Sequence, residues 1–450
     1  HHPHTVCSGQ SNMQYPIASS PHCWNASNVN CTDRNKSHNT KQCGYGCANN
    51  SDVEVAHMKD YDDGMRLYTT QGGSSKTPVA EQSAPSQWMT PSEHGGSFSA
   101  TCWFFGRSVY THLKPKRPLG LIQTNVGGTP DQHWSSPDAL SKCKGKQPWD
   151  PTGKMWPDNF TDSVLWNAMV VPLLRTTHIG AIWYQGEANS RVDGRQYNCS
   201  FPAMIEDWRA KWNKYTDGAT PVDFPFGWAQ LNSDGGAAPY PAATPFSSTP
   251  AGSMDEWQSG FSSIRLAEST TLSLENTFQA VILDTPVASG SVHSPYKQPC
   301  GARLARGGLA VKYGMKELHA VDPIATSAKL TGTTAVVTVA KLGTKGVLAN
   351  VGAVGFEVLG ACPSFHSDGA EVGANQCWLR APVTATTATT VSVQAVAGAT
   401  AIRYLYYSSP CTLQPYKCAV YTNVTPLGPL SGEDQDFLPL GPFIMALESK

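Results

Sequence analysis

The sequence predicts an α/β fold with a mainly parallel sheet, followed by a smaller antiparallel β domain. Three observations carry that reading. Apolar runs at Thr5–Cys7, Leu119–Asn125, Ile179–Tyr184 and Phe278–Leu283 alternate with stretches of helical periodicity, the order that parallel strands with crossover helices require. Each run gives way at once to glycines or to side chains capable of chemistry. Beyond about Asp322 the texture changes to period-two alternation, as in Thr334-Ala-Val-Val-Thr-Val-Ala and Thr390-Val-Ser-Val-Gln-Ala-Val, then Ala401-Ile-Arg-Tyr-Leu-Tyr-Tyr. At 450 residues the chain exceeds a usual single domain, and it divides here into 1–322 and 323–450, the second a β-sandwich or jelly roll.

The first run breaks into Ser8-Gly-Gln-Ser-Asn, a turn that leaves Ser11 at the carboxyl end of a strand with its backbone N–H free. A serine placed there can attack a carbonyl while its own N–H helps hold the oxyanion that forms. The polar stretch 23–47, with four cysteines and three sequons, reads as a disulfide-pinned, glycosylated loop. Within it Cys43-Gly-Tyr-Gly-Cys47 lacks the second pair of ligands that a zinc site needs.

Ala100–Leu113 carries Trp103, Phe104, Val109 and Tyr110 at near-helical spacing. The strand at Leu119 ends in Gly127-Gly-Thr-Pro, where paired glycines let backbone approach a ligand. A helix from Asp162 stops or kinks near Pro172, and the next strand runs into Gln185-Gly-Glu-Ala-Asn. Phe201–Trp212 is a helix, Phe224–Leu231 a strand, and 232–258 a Gly/Ala/Pro/Ser-rich candidate lid. Ile264–Leu274 reads as a helix, Phe278–Leu283 leads to Asp284 and then His293, and Ala302–Leu318 closes the series as a helix. Parallel strands all point one way, so their carboxyl ends gather Ser11, Gly128, Asn189 and His293 along one edge, where open α/β sheets bind ligands. Periodicity does not say which strands are neighbours.

Composition narrows the function. Charged residues make up 15% and the net charge is −1, which gives no electrostatic basis for binding nucleic acid or an anionic membrane. No run approaches the roughly 18 apolar residues of a membrane span. Thirteen cysteines with sequons at Asn25, Asn30, Asn35, Asn159, Asn198 and Asn423 point to the secretory pathway, either secreted or lysosomal, and the odd count leaves at least one thiol unpaired within the chain. The chain opens without a signal peptide, which reads as a mature product or a fragment.

Four stretches also carry a family resemblance: Gly9-Gln-Ser-Asn-Met, Gly127-Gly-Thr-Pro, Trp183-Tyr-Gln-Gly-Glu-Ala-Asn, and His293-Ser-Pro with Lys297. In this order they resemble the motifs of the sialate O-acetylesterases, a branch of the SGNH hydrolases. The resemblance implies an SGNH-hydrolase-like three-layer α/β/α domain with a mainly parallel sheet. It implies Ser11 as nucleophile, His293 as base, and an oxyanion hole built from the N–H groups of Ser11 and Gly128 and the side-chain amide of Asn189. Gln10, Gln185 and Glu187 are then candidates for substrate binding, and no cofactor or metal is needed. Many SGNH hydrolases place an Asp three residues before the histidine, where this chain has Gly290. Asp284 is the candidate third member if the loop 285–292 folds back, the alternative being a backbone carbonyl and a dyad.

The implied partner is an O-acetylated sugar, first of all 9-O-acetylated sialic acid. Its carboxylate would want one of Arg175, Arg191, Arg265 or Arg303. Acetylxylan or another acetylated polysaccharide, and a non-catalytic carbohydrate-binding protein, are the alternatives; oligomeric state is left open. The absence of Gly-x-Ser-x-Gly argues against an α/β-hydrolase elbow.

Overall fold

The computed structural model describes residues 4–18, 47–82, 86–143, 162–191, 194–234, 260–285, 291–318, 322–361, 376–411, 415–425, 427 and 437–449. Six strands form the central sheet: β1 (His4–Gly9), β2 (Met65–Thr69), β3 (Leu119–Asn125), β4 (Gly180–Tyr184), β5 (Phe226–Ala229) and β6 (Thr277–Ala280). They lie in the order β2-β3-β1-β4-β5-β6, and every neighbouring pair is parallel. Strand β1, which leads into Ser11, is therefore central, between β3 and β4.

The alternation of side chains along these strands builds two cores, one on each face of the sheet. Cys7, Leu121, Ile182 and Phe278 face α2 (Ala100–His112) and α5 (Lys297–Tyr313), sharing one cluster with Phe104 and Leu304. Val6, Ile122, Trp183 and Trp228 face the other side, with Trp208 of α3 (Gly194–Tyr215) and Ile264 of α4 (Phe261–Thr271). Helices on both faces of a parallel sheet make the three-layer architecture that the resemblance implies.

Several boundaries differ from the sequence reading for local reasons. Strand β2 is not legible in the sequence because it is an edge strand of five residues, paired with β3 on one side and only bridged to Met89 through Leu67 on the other, and interrupted by the exposed Arg66. The helix expected to stop near Pro172 is a π turn over Trp166–Val170 that tightens to a 3-10 turn over Val171–Leu173, since Pro172 has no N–H to continue the ladder. Helix α5 starts at Lys297, five residues earlier than Ala302, because Pro299 lies in the first turn, where a missing N–H is tolerated. It ends at Gly314 in the left-handed region (φ 72°), so Lys316–Leu318 is a separate turn.

From Ile324 onward the described strands form mainly antiparallel sheets around their own core of Val337, Val358, Val391, Ile402 and Tyr404. Ile324–Thr331 and Thr334–Ala340 make a hairpin against Thr390–Gln394, as their alternation predicts. A second sheet contains Phe356–Ala361, Gln376–Arg380, Ala401–Tyr404 and Phe443–Ala446.

Disulfides join Cys7 of β1 to Cys102 of α2, Cys143 to Cys199, and Cys411 to Cys418. Cys300 is a buried free thiol, consistent with the odd count. Cys47 is disulfide-bonded; Cys43 and the rest of the 23–47 loop lie outside the described residues. So does the candidate lid beyond Asp234, and so do Asn25, Asn30, Asn35 and Asn159, whereas Asn198 and Asn423 are half-buried. Among the described residues no helix is long and apolar enough to cross a membrane.

Candidate active site

Strand β1 ends in a turn that only glycine permits. Gly9 has φ 141°, and a Cβ there would sit 2.2 Å from the Tyr184 carbonyl oxygen, which accepts the Gln10 N–H at 3.0 Å. The chain passes directly into α1 (Ser11–Gln14), so Ser11 opens a helical turn whose first N–H groups have no intrahelical acceptor. Among the described residues nothing accepts the Ser11 N–H, nor that of Gly128, which has φ 73°. Gly127 donates its N–H to Gln14 Oε1 at 2.9 Å. A Cβ built on Gly127 would lie 3.4 Å from the Ser11 Cβ, so the glycine loop after β3 rests against Ser11.

His293 meets Ser11 in one cleft of about 610 Å³, with Gln10, Gly128 and Glu187 also on its surface. The His293 ring stacks near Tyr15 at 6.4 Å between centroids. Burial, reinforced by the charge of Lys297, pulls its pKa down to about 4. At neutral pH the imidazole is therefore uncharged and able to accept a proton.

Lys297 and Asn12 hold the His293 loop against the Ser11 segment. The Lys297 ammonium is buried between the rings of Tyr15 and Tyr184, each centroid 4.9 Å away, and donates to Asn12 Oδ1 at 2.6 Å. Asn12 Nδ2 donates in turn to the Val292 carbonyl at 3.0 Å and to the Glu187 carboxylate. One amide beside Ser11 thus grips the residue before His293. Burial lowers the Lys297 pKa to about 8 and raises that of Glu187. Asn12 and Lys297 stand in the motifs without an assigned role, because no spacing shows that Asn12 and Val292 touch.

Three side chains expected at the site are held by partners within the protein. Asn189 directs its amide nitrogen to Asp131 Oδ1 (2.7 Å) and Gln132 Oε1 (3.0 Å), while its oxygen accepts from Gln185 (2.6 Å) and the Asp131 N–H (3.1 Å). Fully satisfied inside the protein, it braces the loop and does not present its amide to an oxyanion. Gln185 behaves likewise: it is buried, and its amide nitrogen reaches Thr129 O at 3.1 Å and Gln10 Oε1 at 3.3 Å, so it positions Gln10 from behind the cleft surface. Asp131, the unanticipated centre of this brace, also accepts from Ser200, and burial pushes its pKa up to about 7.

Asp284 is the third. Its carboxylate is fully buried and receives two hydrogen bonds from Arg303, at 2.6 and 3.0 Å, instead of reaching His293. The sequence placed Asp284 correctly at the end of the β6 run, but an arginine from α5 captures it first.

The C-terminal sheets reach the cleft as well. Arg265, buried in α4, donates to the carbonyls of Leu231 (2.7 Å), Asn232 (2.7 Å) and Ser408 (3.0 Å), and the Asp234 N–H meets the Ser408 carbonyl at 3.0 Å. Asp234 and Ser408 consequently form the far wall of the cleft.

Residues 329–446 match the family model for the sialate O-acetylesterase C-terminal domain. Sialate O-acetylesterase of Homo sapiens is 37% identical over 258 residues, covering 53% of this chain and 45% of its own length. That of Rattus norvegicus is 29% identical over 475 residues, covering 95% of this chain and 76% of its own. The chain is a relative of the sialate O-acetylesterases. It spans about half the length of the human sialate O-acetylesterase it matches, 45%. A solved carbohydrate acetylesterase from Xanthomonas citri superposes with a TM-score of 0.66 at 21% identity, covering 98% of this chain and 80% of its own, and shares the fold of this sialate O-acetylesterase relative.

Proposed function

We propose that the chain is a serine esterase that removes O-acetyl groups from carbohydrate. The observation that carries this is the meeting of the Ser11 hydroxyl and an uncharged His293 in one cleft, beside the unused N–H groups of Ser11 and Gly128. His293 takes the proton of Ser11 as the oxygen attacks the acetyl carbonyl. The Ser11 and Gly128 N–H groups hold the oxyanion, and the C–O bond to the sugar breaks as His293 returns the proton to the leaving alkoxide. Water, deprotonated by His293, then attacks the acetyl-serine and releases acetate. With Asp284 paired to Arg303, Ser11 and His293 work as a dyad. Glu187 lines the cleft with a raised pKa and is suited to hydrogen-bond a sugar hydroxyl. The disulfides fit passage through the secretory pathway.

The relatives' names support an O-acetylated sialic acid as substrate, and the motif resemblance points to its 9-O-acetyl ester. A neutral acetylated polysaccharide is a second reading, favoured by the acids Glu187 and Asp234 on the cleft surface. Of the candidate carboxylate partners, Arg303 is paired with Asp284, Arg265 is occupied by carbonyls, and Arg175 is exposed; the Arg191 side chain lies outside the described residues. An organophosphate serine reagent should label Ser11, located by mass spectrometry, and no adduct in folded protein would favour a carbohydrate-binding protein over an esterase. Acetate release from O-acetylated sialic acid should exceed that from acetylated xylan; the reverse order would reassign the substrate.

A further inference from the structure

A second cleft of about 780 Å³ lies on the same sheet edge, over the carboxyl ends of β2 and β3. It is separated from the nucleophile cleft by the contact of Gln14 with Gly127, and Gly127 itself touches Ser11. Its surface comes from Gln14 and Tyr15 of the nucleophile segment, Thr69 and Thr70 at the end of β2, and Gln123 and Asn125 at the end of β3; no charged side chain lines it among the described residues. Three of these groups are already fixed. Gln123 donates to Thr69 Oγ1 at 2.8 Å and accepts the Ser99 N–H at 2.7 Å, and Thr70 Oγ1 donates to the Gln123 carbonyl at 3.1 Å. Asn125 is the exception. Its amide nitrogen is shielded from water and has no acceptor among the described residues.

A buried donor left unmade is costly and gains when a ligand oxygen meets it. A concave surface with convergent uncharged polar groups and one aromatic ring suits a hydroxyl-rich neutral ligand, whereas an anion would lose its hydration there for no compensating charge. We infer that this second cleft is a subsite for an uncharged glycosyl unit linked to the acetylated sugar, which sits in the nucleophile cleft. The chain then acts on glycosidically linked acetyl sugars in preference to the free sugar. This rests on the esterase reading above for its turnover arm, but its binding arm does not.

Lactose, as a neutral disaccharide, is titrated against Ser11→Ala protein by saturation-transfer NMR, and against the same protein carrying Asn125→Leu or Gly72→Trp. Gly72 lines the cleft and a Cβ built there meets nothing within 4 Å, so Gly72→Trp is chosen to obstruct it. Saturable lactose binding that weakens about fivefold with Asn125→Leu, the loss of roughly one net hydrogen bond, and more with Gly72→Trp is the expected result. Absent lactose binding, or binding untouched by both changes, overturns the subsite. In parallel, kcat/KM is compared for free O-acetylated sialic acid and for the same sugar linked to lactose, in enzyme with and without Gly72→Trp. The linked ester should be preferred, and the preference should collapse with Gly72→Trp. Failure of both esters to turn over counts against the esterase reading, while the titration still decides the cleft.

Discussion

Asp284 and Arg303 face each other through two hydrogen bonds, 2.6 and 3.0 Å long, with both side chains wholly out of water. Such a pair stabilises mainly by not being broken, since removing one charge leaves the other buried and unpaired. Asp284→Asn should therefore lower unfolding stability by about 3–5 kcal/mol in urea titrations, while the folded fraction keeps its esterase activity within a few-fold. A large fall in kcat at unchanged stability would restore Asp284 as the acid behind His293.

Asn189 holds four hydrogen bonds in the brace around Asp131, so Asn189→Ala should act through structure. It takes the buried donor from Asp131 Oδ1 and Gln132 Oε1, while Ser200 still serves the other Asp131 oxygen, and a stability loss of about 1–3 kcal/mol should accompany any loss of activity. An oxyanion donor would behave differently, losing kcat with the unfolding curve unmoved.

The pH profile tests the environment of His293. Because burial and Lys297 hold its pKa near 4, the imidazole remains a competent base well below the usual histidine range. The acid limb of kcat/KM should fall at about pH 4 and the rate should be flat from there to neutrality, as measured with a neutral acetyl ester. An acid limb near 6.5 would place the histidine in water.

His178 makes a stability prediction in the same window. It is packed edge-on against Trp212 and Phe224, at 4.9 and 4.4 Å, and burial pulls its pKa to about 3. As pH falls below about 6.5 the unfolded chain binds a proton that the folded protein refuses until about 3, so stability is full above 6.5 and is lost on acidification. His178→Phe should leave urea stability at pH 7.5 nearly unchanged and exceed the natural protein at pH 5. Equal stability of the two at pH 5 would contradict the shift.

Ser11→Ala should reduce acetyl ester hydrolysis by roughly 10⁴-fold or more, with folding intact by circular dichroism. Retained turnover would move the nucleophile elsewhere.

The alternation of apolar runs with helical stretches, the glycine turns at Gly9 and Gly128, and the order of reactive residues at strand ends were determined by the sequence alone, because each is a local property of backbone sterics and burial. Which strands lie side by side, and hence that Ser11 sits centrally with Gly128 and His293 about it, was decided only by the tertiary structure. The same holds for the partners of polar groups. Asp284 stood at the predicted strand end, yet its acceptor oxygens went to an arginine of a later helix. Asn189 stood in the predicted loop, yet its donors turned inward. A carboxylate or an amide bonds whichever complementary group packing brings within about 3 Å, and that distance is set by helices and strands far apart in the chain.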